Sequence, residues 1–230
     1  MSIPESKVAI VAGGSGLVGH ELMMLLLKED AIAKVHAMGR RPTHLSHSKL
    51  KEHIHVDLSV TQWDENSSSP EIGFICLGTT LKQAGSKEKL AKVDVDLVCH
   101  VAQEMKLLGV TRIAVVSSYG ADPDSYSHYL KCKGRMESAV SKMGFERVVF
   151  VRPGPLSGER DKPRKNEIIT EYVLKLFSPL LIGKLGNFKP ISGKDVAQCM
   201  LYSLFETQTS QIYPTIFDTR SMIALLDQFK

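Results

Sequence analysis

The chain alternates short apolar runs with longer stretches in which apolar residues recur at helical spacing. Val8-Ala9-Ile10-Val11-Ala12 contains no polar residue and ends at Gly13-Gly14, as expected of a strand buried on both faces. Leu17 to Lys28 follows with helical periodicity, and Val35 to Met38 predicts a second strand, ended by Gly39-Arg40-Arg41-Pro42. The polar stretch from Pro42 to Lys51 predicts a loop or short helix, and Ile54-His55-Val56 a third strand closed by Asp57. Asn66 to Pro70 is a loop signal. Ile72 to Leu77 predicts a fourth strand, Lys87 to Leu108 a long helix stopped by Gly109, and Arg112 to Val116 a fifth strand ending at Ser117-Ser118. Tyr126 to Met143 predicts another helix, and Arg147 to Val151 a sixth strand broken by Arg152-Pro153-Gly154-Pro155.

Strands alternating with helices predict an α/β fold, a Rossmann-type doubly wound parallel sheet with helices on both faces and a small C-terminal substrate segment. Residues 1–230 read as a single domain, with 1–155 the cofactor-binding core and 156–230 a substrate-side segment that is not an independent domain. Beyond Pro155 the pattern weakens to a charged stretch, Gly158 to Lys165, and two helices, Asn166 to Phe177 and Asp195 to Phe205.

Composition narrows the function classes. The chain has 230 residues, 43% of them hydrophobic, enough for one core. Its 29 Lys and Arg against 25 Asp and Glu give +4. So small a charge, with no basic stripe among aromatics, argues against nucleic acid and suits an anionic small ligand. Leu22 to Leu27, the longest apolar run of the first third, is far too short to cross a bilayer, and MSIPESK has no basic-then-apolar signal pattern. Cys76, Cys99, Cys132 and Cys199 form no CxxC and read as reduced thiols of a cytoplasmic protein. His53 and His55 would share a strand face without a third ligand, so no metal site is expected.

The chemistry concentrates at strand ends. Gly13-Gly14-Ser15-Gly16-Leu17-Val18-Gly19 satisfies GxGxxG between the first strand and the first helix, the context in which that motif binds a dinucleotide pyrophosphate. Glycine allows the tight turn and the close backbone approach, and the helix N-terminus offers N–H groups to the anion. A ribose 2′-OH reader would be an acid at the end of the second strand, but Arg40 and Arg41 stand there instead. Two guanidinium groups suit a 2′-phosphate, so NADP(H) is expected over NAD(H). Asp57 could accept from the adenine amino group or serve only a turn.

Tyr129 and Lys133 lie four apart on one helical face, just after the strand that ends at Ser117-Ser118. A phenol titrates near pH 10, and a neighbouring ammonium favours its ionised form, which makes a Tyr–Lys pair a usable acid–base near neutrality. A serine hydroxyl beside it can hold a substrate oxygen. Thr79 and Thr80 could reach the cofactor or simply end a strand. Arg160, Lys162, Arg164 and Lys165 would point to an anionic substrate if their loop is a lid. Tyr119 and Tyr126 could line a substrate pocket or be half-buried loop tyrosines, and Trp63 reads as a packing residue.

These residues together resemble a short-chain dehydrogenase/reductase of the atypical or extended kind. The resemblance rests on Gly13, Gly16 and Gly19, Asp57, Leu77-Gly78-Thr79-Thr80, Ser117-Ser118, Tyr129 and Lys133, and Arg152-Pro153-Gly154. The Tat-interacting-protein-like NADPH-binding oxidoreductases are the most similar branch, through GRR at 39–41, CLGTT at 76–80, Lys82-Gln83-Ala84-Gly85, SSYGAD at 117–122, YLKCKG at 129–134 and VRPG at 151–154. It spans roughly residues 7 to 205. It implies NADP(H) held by the glycine turn, Arg40, Arg41, Asp57, Leu58, Leu77 to Thr80, Ser117, Tyr129, Lys133 and Arg152 to Gly154. It also implies a Ser118–Tyr129–Lys133 catalytic site, with Ser117 the competing serine.

The expected activity is hydride transfer to or from a small carbonyl or alcohol, with a small-molecule substrate and a second copy of the chain as candidate partners, and neither nucleic acid nor membrane. Only ten residues separate Ser118 from Tyr129, and the segment after the sixth strand is short. Both features argue against a large sugar nucleotide, although an epimerase-like enzyme is one alternative. The other alternative is a regulator that senses NADPH without turnover, as some members of that branch do.

Overall fold

A computed structural model describes residues 6–64, 67–157, 183–205 and 214–229, the side chains of 183–185 excepted. The charged stretch Gly158 to Lys165 and the expected helix Asn166 to Phe177 lie outside the described residues.

Seven parallel strands form one sheet. They are β1 (Lys7–Ala12), β2 (Ile32–Gly39), β3 (Leu50–Ile54), β4 (Ile72–Ile75), β5 (Arg112–Val116), β6 (Arg147–Arg152) and β9 (Thr215–Asp218). Their order is β3-β2-β1-β4-β5-β6-β9. The direction of winding reverses between β1 and β4, and open α/β sheets bind ligands in the crevice at such a reversal. A second parallel pair, β7 (Leu156–Ser157) and β8 (Ile191–Ser192), stands outside this sheet.

The unbroken apolar run of β1 follows from helices on both faces. Ala9 and Val11 pack with Leu22, Met23 and Leu26 of α1 (Leu17–Lys28) and with Met200 and Leu204 of a later helix, Gly193–Phe205. Ile10 and Ala12 point the other way, onto Val98, Val101 and Met105 and onto Met136 and Val140.

The helical segments after β4 are α2 (Leu81–Ala84), α3 (Lys87–Ala91) and α4 (Val98–Leu107), with a π-helical stretch, Lys92–Leu97, joining the last two. After β5 comes α5 (His128–Val140), then α6 (Gly193–Phe205) and α7 (Thr219–Asp227). No helix among the described residues is long and apolar enough to cross a membrane.

The third strand departs from expectation. It begins at Leu50 and ends at Ile54, so His55 and Val56 lie beyond it. Among the described residues β3 is an edge strand paired only with β2. Its LKEHI sequence therefore needs no apolar run, and Ile54 and Val56 stand 47% and 71% exposed. The long helix after β4 is interrupted by the π stretch, and the helix carrying Tyr129 begins at His128, leaving Tyr126 fully exposed before it. β9 and α7 follow the second undescribed stretch of the C-terminal region. β9 pairs with β6 from Val149↔Thr215 to Arg152↔Asp218, and Met222 and Leu225 of α7 join the core beneath α6.

Candidate functional site

The glycine turn has the shape that its sequence implies. Gly13 sits at φ +88°, in the left-handed region, and a Cβ there would lie 2.7 Å from the carbonyl oxygen of Cys76 at the end of β4. A Cβ on Gly19 would fall 2.0 Å from the Gly13 carbonyl oxygen. The Gly16 N–H donates to that same oxygen at 3.0 Å and closes the turn. Gly16 is also the N-cap of α1, with no side chain to cap it. The amino end of a 12-residue helix therefore opens, uncapped, at the winding reversal. It presents N–H groups and positive partial charge to an anion, so the cradle fits a dinucleotide pyrophosphate. Gly19→Ala is expected to lower dinucleotide affinity at least tenfold, because the clash falls on backbone and the first turn of α1 must shift. Isothermal titration with the cofactor reads the change directly.

Arg40 and Arg41 follow β2, both exposed, and neither enters an ion pair among the described residues. The turn beneath them is fixed: the His55 N–H donates to the Gly39 carbonyl at 2.9 Å, and Thr43 gives its N–H and hydroxyl to Glu52 Oε1 at 2.7 and 2.8 Å. Asp57 is exposed. Leu58 adopts φ +59° and is buried in the core, so its backbone rather than its side chain is what a ligand can meet.

After β4 the roles divide. Leu77 packs against the core. Thr80 caps α2, its hydroxyl accepting from the Gln83 N–H at 3.3 Å, so it is already engaged. The Thr79 N–H donates at 3.0 Å to Asp94 Oδ2. Asp94 is fully buried, and its Oδ1 lies 2.7 Å from the Lys133 ammonium, itself only 2% exposed. Lys133 Nζ also reaches the Val116 carbonyl at 3.4 Å. A Cβ on Gly78 would come within 3.4 Å of both partners, so a side chain there would crowd the pair.

Asp94 thus ties together the end of β5, helix α5 and the turn after β4. Sequence reasoning missed it, yet a signal existed. Leu90, Asp94, Val98, Ala102 and Met105 are all buried at helical spacing, and one acid stands in that apolar stripe. The π stretch that carries it is a distortion often found at functional sites.

Tyr129 is half-buried on the first turn of α5, one turn before Lys133. Of the two serines, Ser117 is 3% exposed with its hydroxyl buried and unpartnered, and its N–H donates to the Val151 carbonyl. Ser118 is partly exposed, its hydroxyl only 3.5 Å from the next carbonyl, which leaves it the serine better placed to meet a substrate. The turn after β6 is held by its own partners. Arg152 grips Glu137 of α5 with two N–H groups, Nε donating to Oε1 at 2.9 Å. The Pro153 carbonyl accepts from the Tyr119 N–H at 3.0 Å, and the Gly154 N–H donates to Thr219 Oγ1 at 2.9 Å. Burial pushes the Cys76 thiol up to about 12 and raises those of Cys99 and Cys132, so none is a poised nucleophile.

Comparison with known proteins supports the fold and the binding of a nicotinamide dinucleotide. A family model described as NAD(P)H-binding matches residues 13–207. The chain is 34% identical over 160 residues to the Saccharomyces cerevisiae protein named FMP52, mitochondrial, covering 68% of this chain and 69% of that one. It is 29% identical over 214 residues to its Debaryomyces hansenii namesake, covering 90% and 92%. Among solved structures, MoeE5 in complex with UDP-glucose and NAD superposes with a TM-score of 0.63 at 14% identity, over 96% of this chain and 81% of that one.

The expectation of a cytoplasmic protein is corrected by these relatives, which are named mitochondrial. Four dispersed thiols speak for a reducing compartment and not for the cytosol in particular. By the extent of these matches, the chain belongs to the NAD(P)H-binding family, alongside the fungal FMP52 proteins.

Proposed function

We propose that this protein is an NADP(H)-dependent oxidoreductase that moves a hydride to or from a small carbonyl or alcohol, in a mitochondrial setting like that named for its relatives. The nicotinamide would supply or accept the hydride when bound. Ser118 would hold the substrate oxygen through its hydroxyl, and Tyr129 would give or take the proton at that oxygen. Lys133, fixed by Asp94 and the Val116 carbonyl, places a cation on the face of α5 that carries Tyr129. The glycine turn and the amino end of α1 would hold the pyrophosphate.

The choice of NADP(H) over NAD(H) is supported by the exposed Arg40 and Arg41 where an acid would otherwise read the ribose. Side-by-side titration should find NADPH bound at least about tenfold more tightly than NADH, since charge-assisted hydrogen bonds contribute about 1.5–3 kcal/mol each. Replacing both arginines with alanine should erase most of that difference while changing NADH affinity little. Equal affinity of the unaltered protein for the two cofactors refutes the assignment.

A second reading, a cofactor sensor without turnover as the Tat-interacting-like resemblance suggests, is favoured by one observation. Asp94 already neutralises Lys133, the charge that would acidify the phenol.

A further inference from the structure

Away from the glycine turn, the structure builds a second group of titratable side chains on β2, which Arg40 and Arg41 follow, and on its neighbour β3. His36 of β2 is fully buried. Its Nδ1 lies 2.8 Å from Nε2 of His53 on β3, while its own Nε2 is buried with no partner. Trp63 stacks on both rings, with centroids 4.4 Å from His36 and 5.9 Å from His53. An open cleft of about 370 Å³ is lined by Lys51, His53, Ser59, Thr61 and Trp63, so solvent protons reach the outer side of the stack.

The pair has no comfortable way to accept a proton. With the proton of neutral His36 on Nδ1, that N–H donates to the bare Nε2 of His53 and His36 Nε2 is left as an unpaired acceptor; with the proton on Nε2, Nδ1 accepts from His53 and the unpaired buried group is a donor. A proton added to His53 Nε2 sets two N–H groups against each other. The contact survives only if the His36 proton moves to Nε2, where a donor is buried without a partner. Among the described residues, the charges that shift the two imidazoles are all basic. His36 feels His53, Lys34 of its own strand and Lys51 of β3, all bases. Glu52 is bound to Thr43, Asp64 to Ser67, and on α4 His100 and Glu104 hold Ser59 and the Val60 N–H.

Burial, reinforced by those bases, lowers His36 from 6.5 to about 4, and burial likewise lowers His53. The folded state therefore binds fewer protons than the opened one. The stack is at full strength above about pH 6.5 and loses strength as the pH falls from there toward about 4.

β3 transmits the state of the stack to the arginine turn. Among the described residues it is an edge strand, held by β2 on one side. In register, Met38 lies opposite His53 and Gly39 opposite Ile54. The neighbouring Glu52 grips Thr43, two residues past Arg41, and the His55 N–H grips Gly39.

We propose that the His36–His53–Trp63 stack is a proton-sensitive clamp on the turn after β2, closed when both imidazoles are neutral and released when either takes a proton, so that acid weakens dinucleotide binding there. This regulation rests on the cofactor reading above.

Trp63 is the single tryptophan of the chain and reports on the stack directly. The experiment follows its emission and the affinity for NADP⁺, which is stable in acid, between about pH 7.5 and about pH 5. The phosphate of NADP⁺ itself titrates near pH 6, so variants supply the control. His36→Phe keeps a ring on Trp63 without a titrating group. His53→Gln, at the more accessible position, keeps an acceptor for His36.

Unaltered protein is expected to lose about tenfold more affinity over this range than either variant, with the Trp63 emission changing over the same interval. An equal loss in all three proteins overturns the proposal, as does emission that stays constant with pH. If NADP⁺ binds at no pH, the cofactor reading fails and the proposed consequence fails with it. A Trp63 emission that still titrates would then show that the fault lies in that reading and not in the clamp.

Discussion

Asp94→Ala should lower the free energy of unfolding by about 3–5 kcal/mol, the size expected when one member of a buried ion pair is removed and the other stays behind. Lys133 is 2% exposed and Asp94 not exposed at all, so the orphaned ammonium has little access to water. The Thr79 N–H loses its acceptor at the same time. Urea denaturation measures the loss. The double variant Asp94→Asn with Lys133→Met should recover much of it, because no uncompensated charge remains. A loss below about 1 kcal/mol in the single variant would mean that water reaches the pair and that it behaves as an exposed one. The double variant serves a second purpose: if it folds normally and binds cofactor but turns nothing over, Lys133 matters to the chemistry as well as to the fold.

Tyr129→Phe should cut turnover by about 10²–10⁴-fold, the range for removing a positioned general acid–base, and should leave cofactor affinity within about twofold. The variant removes one oxygen atom from a half-buried position on the first turn of α5, so folding is little disturbed. The assay is NADPH oxidation across a panel of small aldehydes and ketones. If the variant keeps full activity on a substrate that the unaltered protein reduces, the proton comes from elsewhere. If the unaltered protein reduces nothing in the panel while binding NADPH, the sensor reading gains the advantage.

Much of this molecule is legible in its sequence. Strands buried on both faces must be continuously apolar, so β1, β4, β5 and β6 stand out. The glycine turn is legible because backbone contact at Gly13 and Gly19 excludes any other residue. β3 is harder to place for the opposite reason: an edge strand needs no apolar run, and the exposed Ile54 and Val56 imitate one. Asp94 escaped notice because a buried acid is recognisable only by its partner, and Lys133 lies 39 residues further along the chain. The same applies to His36, whose partners Lys51, His53 and Trp63 come from two later segments. The Glu137 partner of Arg152 is not legible in the sequence either, because it sits on a helix face that the sequence alone does not orient.

The seventh strand has a consequence for how the chain is made. Among the described residues β9 pairs only with β6, and the partners Val149 and Thr215 are separated by more than sixty residues. During synthesis β6 emerges well before β9, its partner on that side, and an unpaired edge is a template for pairing with other chains. Asp218 and Thr219, which hold Asn187 and the Gly154 turn, arrive at that same late moment. The dinucleotide half can therefore collapse early, whereas the rim of the sheet beyond β6 is sealed last. Nascent chains stalled before Thr215 are the species for which a chaperone matters most.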